Sequence, residues 1–233
     1  MTRANPLFPY VYRLGQPIFD RLFYNRYRRA AIAQATGRLL MVGLGPGTDL
    51  KFVPPAVTSV AAVEPAAAFR RMAARLADRH GTAVDIVDGT GESIPFPDNS
   101  FDSVHTGLVL CSVDDVAATL GEIRRVLVPG GRLVVLEHVR GEGTMGRLQD
   151  LVAKPWSWLA SGCNPNRRTV DAIAAAGFDT SGLRSVRTPV PFPCKPHLQG
   201  FATAIEGGPS CDVDHTEPFG CGSRLVEHGA RRR

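Results

Sequence analysis

Residues 39–47, Leu-Leu-Met-Val-Gly-Leu-Gly-Pro-Gly, constrain this chain more than any other stretch. An apolar run of strand type stops at Gly43, and Gly45 and Gly47 follow at alternate positions. Glycine lacks a Cβ, so the backbone there turns sharply and lets a ligand come close. A second apolar run, Val60-Ala-Ala-Val63, ends in Glu64, seventeen residues after Gly47. An acid at the tip of the neighbouring parallel strand is where ribose hydroxyls are held. The pair points to an α/β fold with a nucleoside ligand at the carboxyl edge of its sheet. The loop alone does not say which nucleoside.

From Arg38 onward strand and helix patterns alternate, which implies a mainly parallel sheet covered on both faces. Strands are expected at 38–42, 58–63, 83–88, 103–110 and 132–137. Helices are expected at 66–78, 113–126, 145–160 and 166–176, with Gly81 and Gly177 as C-terminal stops. Pro129-Gly130-Gly131 reads as a turn, and 183–188 with 200–206 as an antiparallel edge hairpin. Ahead of these, 1–16 reads as an irregular lead-in. Pro17 opens a helix to about Ala35 whose apolar face carries Ile18, Leu22, Tyr27 and Ala30. That segment caps the site or lies on a membrane surface. The domain plan is 1–37 lead-in and cap helix, 38–206 the α/β domain, and 207–233 a disordered tail rich in Gly, Pro, Ser and charge.

A chain of 233 residues is long enough to bury one such core. Its net charge of +5 comes from scattered basic residues without aromatic interleaving, so nucleic acid is not the expected partner. No apolar stretch reaches the roughly 20 residues that span a bilayer, and Arg3, Pro6, Pro9 and Arg13 interrupt any leader-like run. The five cysteines (Cys111, Cys163, Cys194, Cys211 and Cys221) show no metal-ligand spacing. Free thiols in a reducing cytoplasm, and no metal, are the expectation.

Six features in order now give the resemblance. They are Gly43/Gly45/Gly47, Glu64, the loop Gly91-Glu-Ser-Ile-Pro-Phe96, Phe101-Asp102 opening a strand, Val126-Leu-Val-Pro-Gly-Gly131, and the terminal hairpin. Together they resemble a class I S-adenosylmethionine-dependent methyltransferase over roughly residues 38–206, while Pro54-Pro55 stops the long helix that an NAD-type loop needs. A narrower likeness lies in Lys51-Phe-Val-Pro-Pro55, Leu108-Val-Leu-Cys-Ser-Val113, Leu136-Glu-His-Val139, Gly162-Cys-Asn164 and Lys195-Pro-His-Leu198. These strings resemble the methyltransferase-like 7 branch of alkyl thiol S-methyltransferases and bacterial phosphatidylethanolamine-methyltransferase-like proteins. Animal members of that branch carry an N-terminal membrane-anchoring segment, a pattern that residues 1–37 do not show.

The resemblance implies a Rossmann-like seven-stranded sheet, mostly parallel with an antiparallel C-terminal hairpin. It implies S-adenosylmethionine as cofactor, held by Gly43, Leu44, Gly45, Gly47, Glu64, Pro65, Gly91, Glu92, Leu108 and Val109. Most relatives have an Asp where this chain has Thr90, so recognition of the adenine amine falls to Thr90, Asp88 or a backbone carbonyl. Met41 departs from the pattern, because relatives place an acid there for the cofactor's ammonium; the lost contact is worth about 1.5–3 kcal/mol. Asp49 is the candidate substitute. His138, His197 and Cys163 are the candidate catalytic residues, and Arg167 or Arg168 would bind an acidic acceptor. The expected acceptor is a small molecule, with a thiol preferred. Methylation of nitrogen or oxygen on a lipid head group or aromatic metabolite stays open, as does a non-catalytic cofactor- or partner-binding protein. The expected location is cytoplasmic, with peripheral membrane contact through residues 17–35 as the variant.

Overall fold

The computed structural model describes residues 20–160 and 162–205. The expected lead-in at 1–16, the start of the first helix at Pro17 and the tail from 207 lie outside these. Eight strands form one sheet: β1 (Gly37–Val42), β2 (Val57–Val63), β3 (Asp85–Val87), β4 (Phe101–Gly107), β5 (Leu127–His138), β6 (Phe178–Asp179), β7 (Leu183–Val186) and β8 (His197–Ala204). The order is β3-β2-β1-β4-β5-β8-β6, with β7 also on β8. β1 to β5 are parallel to one another, and β8 runs antiparallel to β5. β6 meets residues 203–204 of β8 and β7 meets residues 197–200, along the edge that β5 leaves free. Eight strands thus fill seven lateral positions.

Alternation along the strands sorts the core into two layers. Leu40 and Val42 of β1 pack with Leu120 and Ile123 of the helix Val116–Val126 and with Ile173 of the helix Thr169–Ala175. Leu39 and Met41 point the other way, toward Ala73 and Ala77 of the helix Ala67–His80 and toward Tyr24, Ala31 and Ile32. Caps behave as their residue types require. Gly81 ends its helix at φ +64, and Asp115 accepts the Ala118 N–H at 3.0 Å to start the next helix.

The 183–188/200–206 hairpin forms at the sheet's edge as expected, with β8 against β5 and the two-residue β6 on the outer side of β8. Two expectations need correction. The Pro129-Gly130-Gly131 turn is absorbed into β5, where Gly130 has φ +73 and the β4–β5 register shifts between Phe101 and Ser103. The first helix buries a face different from the one expected: Leu22 and Ala30 are exposed, Tyr27 is half-buried against the core, and Ile18 lies outside the described residues. Leu22 is 66 % exposed, while Asp20, Tyr24, Arg28, Ala31 and Ile32 are buried. A π-helical turn at Asp20–Tyr24 precedes the α-helix Asn25–Ile32 and rotates the register. The buried charges are paired, Arg28 with Asp20 at 3.2 Å and with Asp49 at 3.0 Å. Among the described residues no helix is long and apolar enough to cross a membrane.

Candidate active site

The carboxyl ends of β1, β2, β4 and β5 meet at one edge of the sheet, where ligands of open α/β sheets bind. A surface cavity of about 580 Å³ lies elsewhere, at the amino ends of β2 and β3 beside Val57 and Asp85. At the carboxyl edge Gly43 turns at φ +62 and donates its N–H to the Val63 carbonyl at 2.9 Å. A Cβ there would fall 2.7 and 2.9 Å from the two methyls of Val109, so the loops after β1 and β4 touch through glycine. Gly45, at φ +57, differs, because a Cβ on it would meet no protein atom within 4 Å. Its N–H donates to Glu64 Oε2 at 2.8 Å, and the Ala66 N–H donates to Oε1 at 2.9 Å. Burial pushes the Glu64 pKa up, against the pull of the Ala66 and Gly45 amides and of Arg70.

Other expected cofactor residues carry packing duties in the described structure. Arg70 donates to the carbonyls of Glu64 and Pro65 and pairs with Asp88 at 2.9 Å, so Asp88 is tied to the rim. A Cβ on Gly91 would meet Thr119 Cγ2 at 2.9 Å, which makes Gly91 the seat of the helix Val116–Val126. Glu92 accepts the N–H groups of Asp114 and Asp115 at 2.9 and 3.3 Å, just ahead of that helix. Asp49 faces inward to Arg28 and accepts from it at 3.1 and 3.0 Å, with His105 Nε2 at 3.1 Å. Burial alone would raise its pKa, but Arg28 and His105 outweigh that and hold it well below the usual carboxylate range. Arg167 is committed to the backbone, with its guanidinium donating to the Leu110 and Val113 carbonyls. Arg168 lies 3.8 Å from Asp171 at the surface.

The end of β4 is strained. Leu108 adopts φ +66, a left-handed conformation that costs a β-carbon residue about 1–3 kcal/mol. The turn it makes aims three successive amides at one buried carboxylate. Val109 and Leu110 donate to Glu137 Oε1 at 2.9 Å each, and Cys111 donates to Oε2 at 3.3 Å. Burial raises the Glu137 pKa, with those amides and His138 pulling the other way. Sequence reading gave Glu137 no role. The visible signal was one acid inside an apolar strand that buries both faces.

Next to this loop the three expected catalytic residues come together with two that were not expected in that role. His138 ends β5 and is paired in register with His197 of β8. Tyr24, from the first helix, places its hydroxyl 2.9 Å from His138 Nε2 and 2.8 Å from His197 Nε2. His197 Nδ1 lies 2.9 Å from Thr188 Oγ1. Burial, then His138 and Arg28, lower the His197 pKa to about 3, so the ring is neutral near pH 7. On its other side, His138 Nδ1 lies 3.3 Å from Cys163 Sγ, which is 3.8 Å from Cys111 Sγ. The Cys111 contact lowers the Cys163 pKa, but Cys194 and burial outweigh it and push the thiol up to about 12. The first helix thus meets these side chains through Tyr24, a residue that sequence reading passed over.

The sequence profile described as "Methyltransferase domain" matches residues 40–135, from β1 to β5. The chain is 31% identical to human thiol S-methyltransferase TMT1B over 210 residues, 84% of this chain and 85% of that one. It is 33% identical to human thiol S-methyltransferase TMT1A over 170 residues, 70% of this chain and 69% of that one. Among solved structures, a Thermotoga maritima SAM-dependent methyltransferase, described as a possible histamine N-methyltransferase, shares the fold with a TM-score of 0.61. It is 20% identical, over 84% of this chain and 97% of that one. With the glycine loop, Glu64 and the sheet order already in place, this chain belongs to the class I S-adenosylmethionine-dependent methyltransferases and is related to the thiol S-methyltransferases among them.

Proposed function

We propose that this enzyme methylates the sulfur of a small alkyl thiol. The observation that carries the reading is its likeness to thiol S-methyltransferases along most of the chain. The site geometry supports it, since the end of β5 offers histidine, tyrosine and cysteine to an acceptor. S-adenosylmethionine supplies a methyl carbon made electrophilic by its sulfonium. The cradle fits that cofactor. Gly45 leaves open space where any other residue would project a side chain, and Glu64 keeps acceptor capacity on both oxygens beyond the Gly45 and Ala66 bonds. Gly43, Leu44 and Gly47 would pass beneath the cofactor, Glu64 and Pro65 would meet the ribose, and Gly91 and Glu92 would flank the adenine. Leu108 and Val109 would lie under the transferring methyl. Met41, buried and uncharged, would offer the ammonium no charge, and Asp49 is paired with Arg28.

Methyl transfer is an in-line displacement, so alignment of nucleophile, carbon and leaving sulfur does most of the work. A thiol with a pKa near ~8.5 needs little help to ionise, whereas an amine or phenol needs a stronger base. His138 and Cys163 would receive the acceptor sulfur, and His197, held at both ring nitrogens, would position Tyr24 and through it His138. One observation favours a second reading, a lipidic acceptor at a membrane surface. Leu151, Trp158 and Leu159 of the helix Gly143–Leu159 are 77, 79 and 60 % exposed. Incubation with methyl-labelled cofactor and a panel of thiols, amines and phenols, read by mass spectrometry, tests the proposal. A labelled thioether is the expected product. Label confined to nitrogen or oxygen would overturn it, and co-sedimentation with anionic liposomes would favour the second reading.

A further inference from the structure

We infer that Cys111, Cys163 and His138 form a zinc(II) site whose fourth position receives the acceptor thiol. One ligand atom from each, two Sγ and a ring nitrogen, lie within 4.8 Å of one another, and all three residues are buried. Two of the three separations are close to those of a tetrahedron around one ion, and the third lies within the same 4.8 Å. Zn–S bonds of about 2.3 Å and Zn–N bonds of about 2.0–2.1 Å put two sulfurs about 3.8 Å apart and a sulfur and nitrogen about 3.6 Å apart. Here the sulfurs of Cys111 and Cys163 are 3.8 Å apart, and Cys163 Sγ is 3.3 Å from His138 Nδ1. Two thiolates and an imidazole are the donors zinc prefers, and three protein ligands leave the open position of a catalytic rather than structural site.

The surroundings are those of a metal-binding histidine. A ligating imidazole hands its other N–H to a fixed oxygen, which sets the tautomer. With Nδ1 toward the sulfurs, His138 Nε2–H donates to Tyr24 Oη at 2.9 Å. The Tyr24 hydroxyl then donates to His197 Nε2 at 2.8 Å, and His197 Nδ1–H donates to Thr188 Oγ1 at 2.9 Å. The ligands are also fixed at the backbone: Glu137 holds the Cys111 amide, the Asn164 N–H donates to the Cys111 carbonyl at 2.7 Å, and His138 is paired with His197 of β8. Cys194 is buried beside Cys163 but outside the three-atom group. The site adjoins the cofactor loop, because Val109, two residues before Cys111, packs on Gly43.

The use of the fourth position rests on the thiol reading above. A thiol entering it releases its proton to solvent and stays as thiolate. The sulfur lone pair forms a bond to the methyl carbon, while the carbon–sulfonium bond breaks with its electron pair going to S-adenosylhomocysteine. The neutral thioether is a poor ligand and leaves. No electron is gained or lost by the protein.

The test uses the full chain purified under reducing conditions, with metal measured by mass spectrometry. About one zinc per chain is expected, falling at least about 10-fold in Cys163→Ser and retained in Cys194→Ser. Tyr24→Phe, which keeps all three ligands, should weaken zinc by about 10–100-fold in chelator competition. S-adenosylmethionine affinity by calorimetry should persist in Cys163→Ser, showing a folded cofactor site. Cobalt(II) in place of zinc should show thiolate charge-transfer and tetrahedral d–d absorption that shifts when an alkyl thiol is added. Reduced thiols that take up neither zinc nor cobalt, or a Cys111–Cys163 disulfide in their place, would overturn the site. Bound metal whose spectrum ignores thiols that are nonetheless methylated would overturn the fourth position and leave the thiol reading standing. Bound metal with methyl transfer only to amines or hydroxyls would sink the thiol reading and leave the metal site.

Discussion

Asp49 offers a perturbation whose two explanations lead to opposite results. Sequence comparison makes it the substitute for the acid missing at Met41, while the structure turns it toward Arg28 and His105. Asp49→Asn keeps the shape and one acceptor oxygen but removes the charge. Two contacts to a buried guanidinium are weakened, and hydrogen bonds to charged groups are worth about 1.5–3 kcal/mol each. Arg28 keeps Asp20 at 3.2 Å, so the loss should fall at the low end of the 3–5 kcal/mol typical of a broken buried pair, about 3 kcal/mol. For a chain of this size that is a fall in Tm of about 6–12 °C. The sign of the pH dependence follows from the depressed pKa. Asp49 contributes stability that is fully present above its unfolded value near ~3.9 and is lost as pH falls through its folded value. The gap between wild type and variant in urea unfolding should therefore be flat from pH 7 to pH 5 and close only in strong acid. Calorimetric affinity for S-adenosylmethionine, measured well below the variant's Tm, should change less than about 3-fold, because under 1 kcal/mol is at stake for a residue facing away from the cofactor. Unchanged stability with affinity weakened about 10-fold or more would refute this reasoning and restore Asp49 as a ligand of the ammonium.

Three further substitutions probe the same edge. Gly43→Ala forces a side chain into φ +62 and onto the Val109 methyls, so it should cost at least about 1–2 kcal/mol in urea unfolding and weaken cofactor binding. Glu137→Gln leaves one of three amides facing an NH₂ group, so a loss of about 1–3 kcal/mol is expected; an unchanged melting curve would contradict the role given to it. Met41→Glu supplies the acid that the family resemblance leads one to expect there and should tighten S-adenosylmethionine binding about 10-fold or more by calorimetry. Affinity no better than wild type would show that the missing acid costs nothing.

What could be read from the sequence was what depends on local rules. A strand that ends in glycine and an acid at the tip of the next strand follow from backbone geometry, and the Gly45 N–H donates to Glu64 Oε2 at 2.8 Å. The parallel order β1 to β5 follows from alternation of strand and helix. Position across the sheet is not a local property, so the hairpin was found but the two-residue β6 on the outer side of β8 was not. The first helix misled because periodicity assumes 3.6 residues per turn, while a π turn and two ion pairs let Asp20 and Arg28 go inside. Cys111, His138 and Cys163 show no metal spacing because they come from three separate segments that only the fold brings within 4.8 Å. Tyr24 was hidden for the same reason, since its partners lie 114 and 173 residues away.

The central claim is that one edge of the sheet holds the cofactor through Glu64 and presents a thiol to it at His138 and Cys163. Thioether formation from methyl-labelled S-adenosylmethionine and an alkyl thiol, compared between wild type and Glu64→Ala, tests it most directly. Removing two hydrogen bonds to a carboxylate should lower turnover at limiting cofactor by about 10²-fold or more. Wild type should yield labelled thioether, with the variant falling by that factor. Equal thioether formation by the two proteins, or none from wild type with the cofactor bound, would contradict the account.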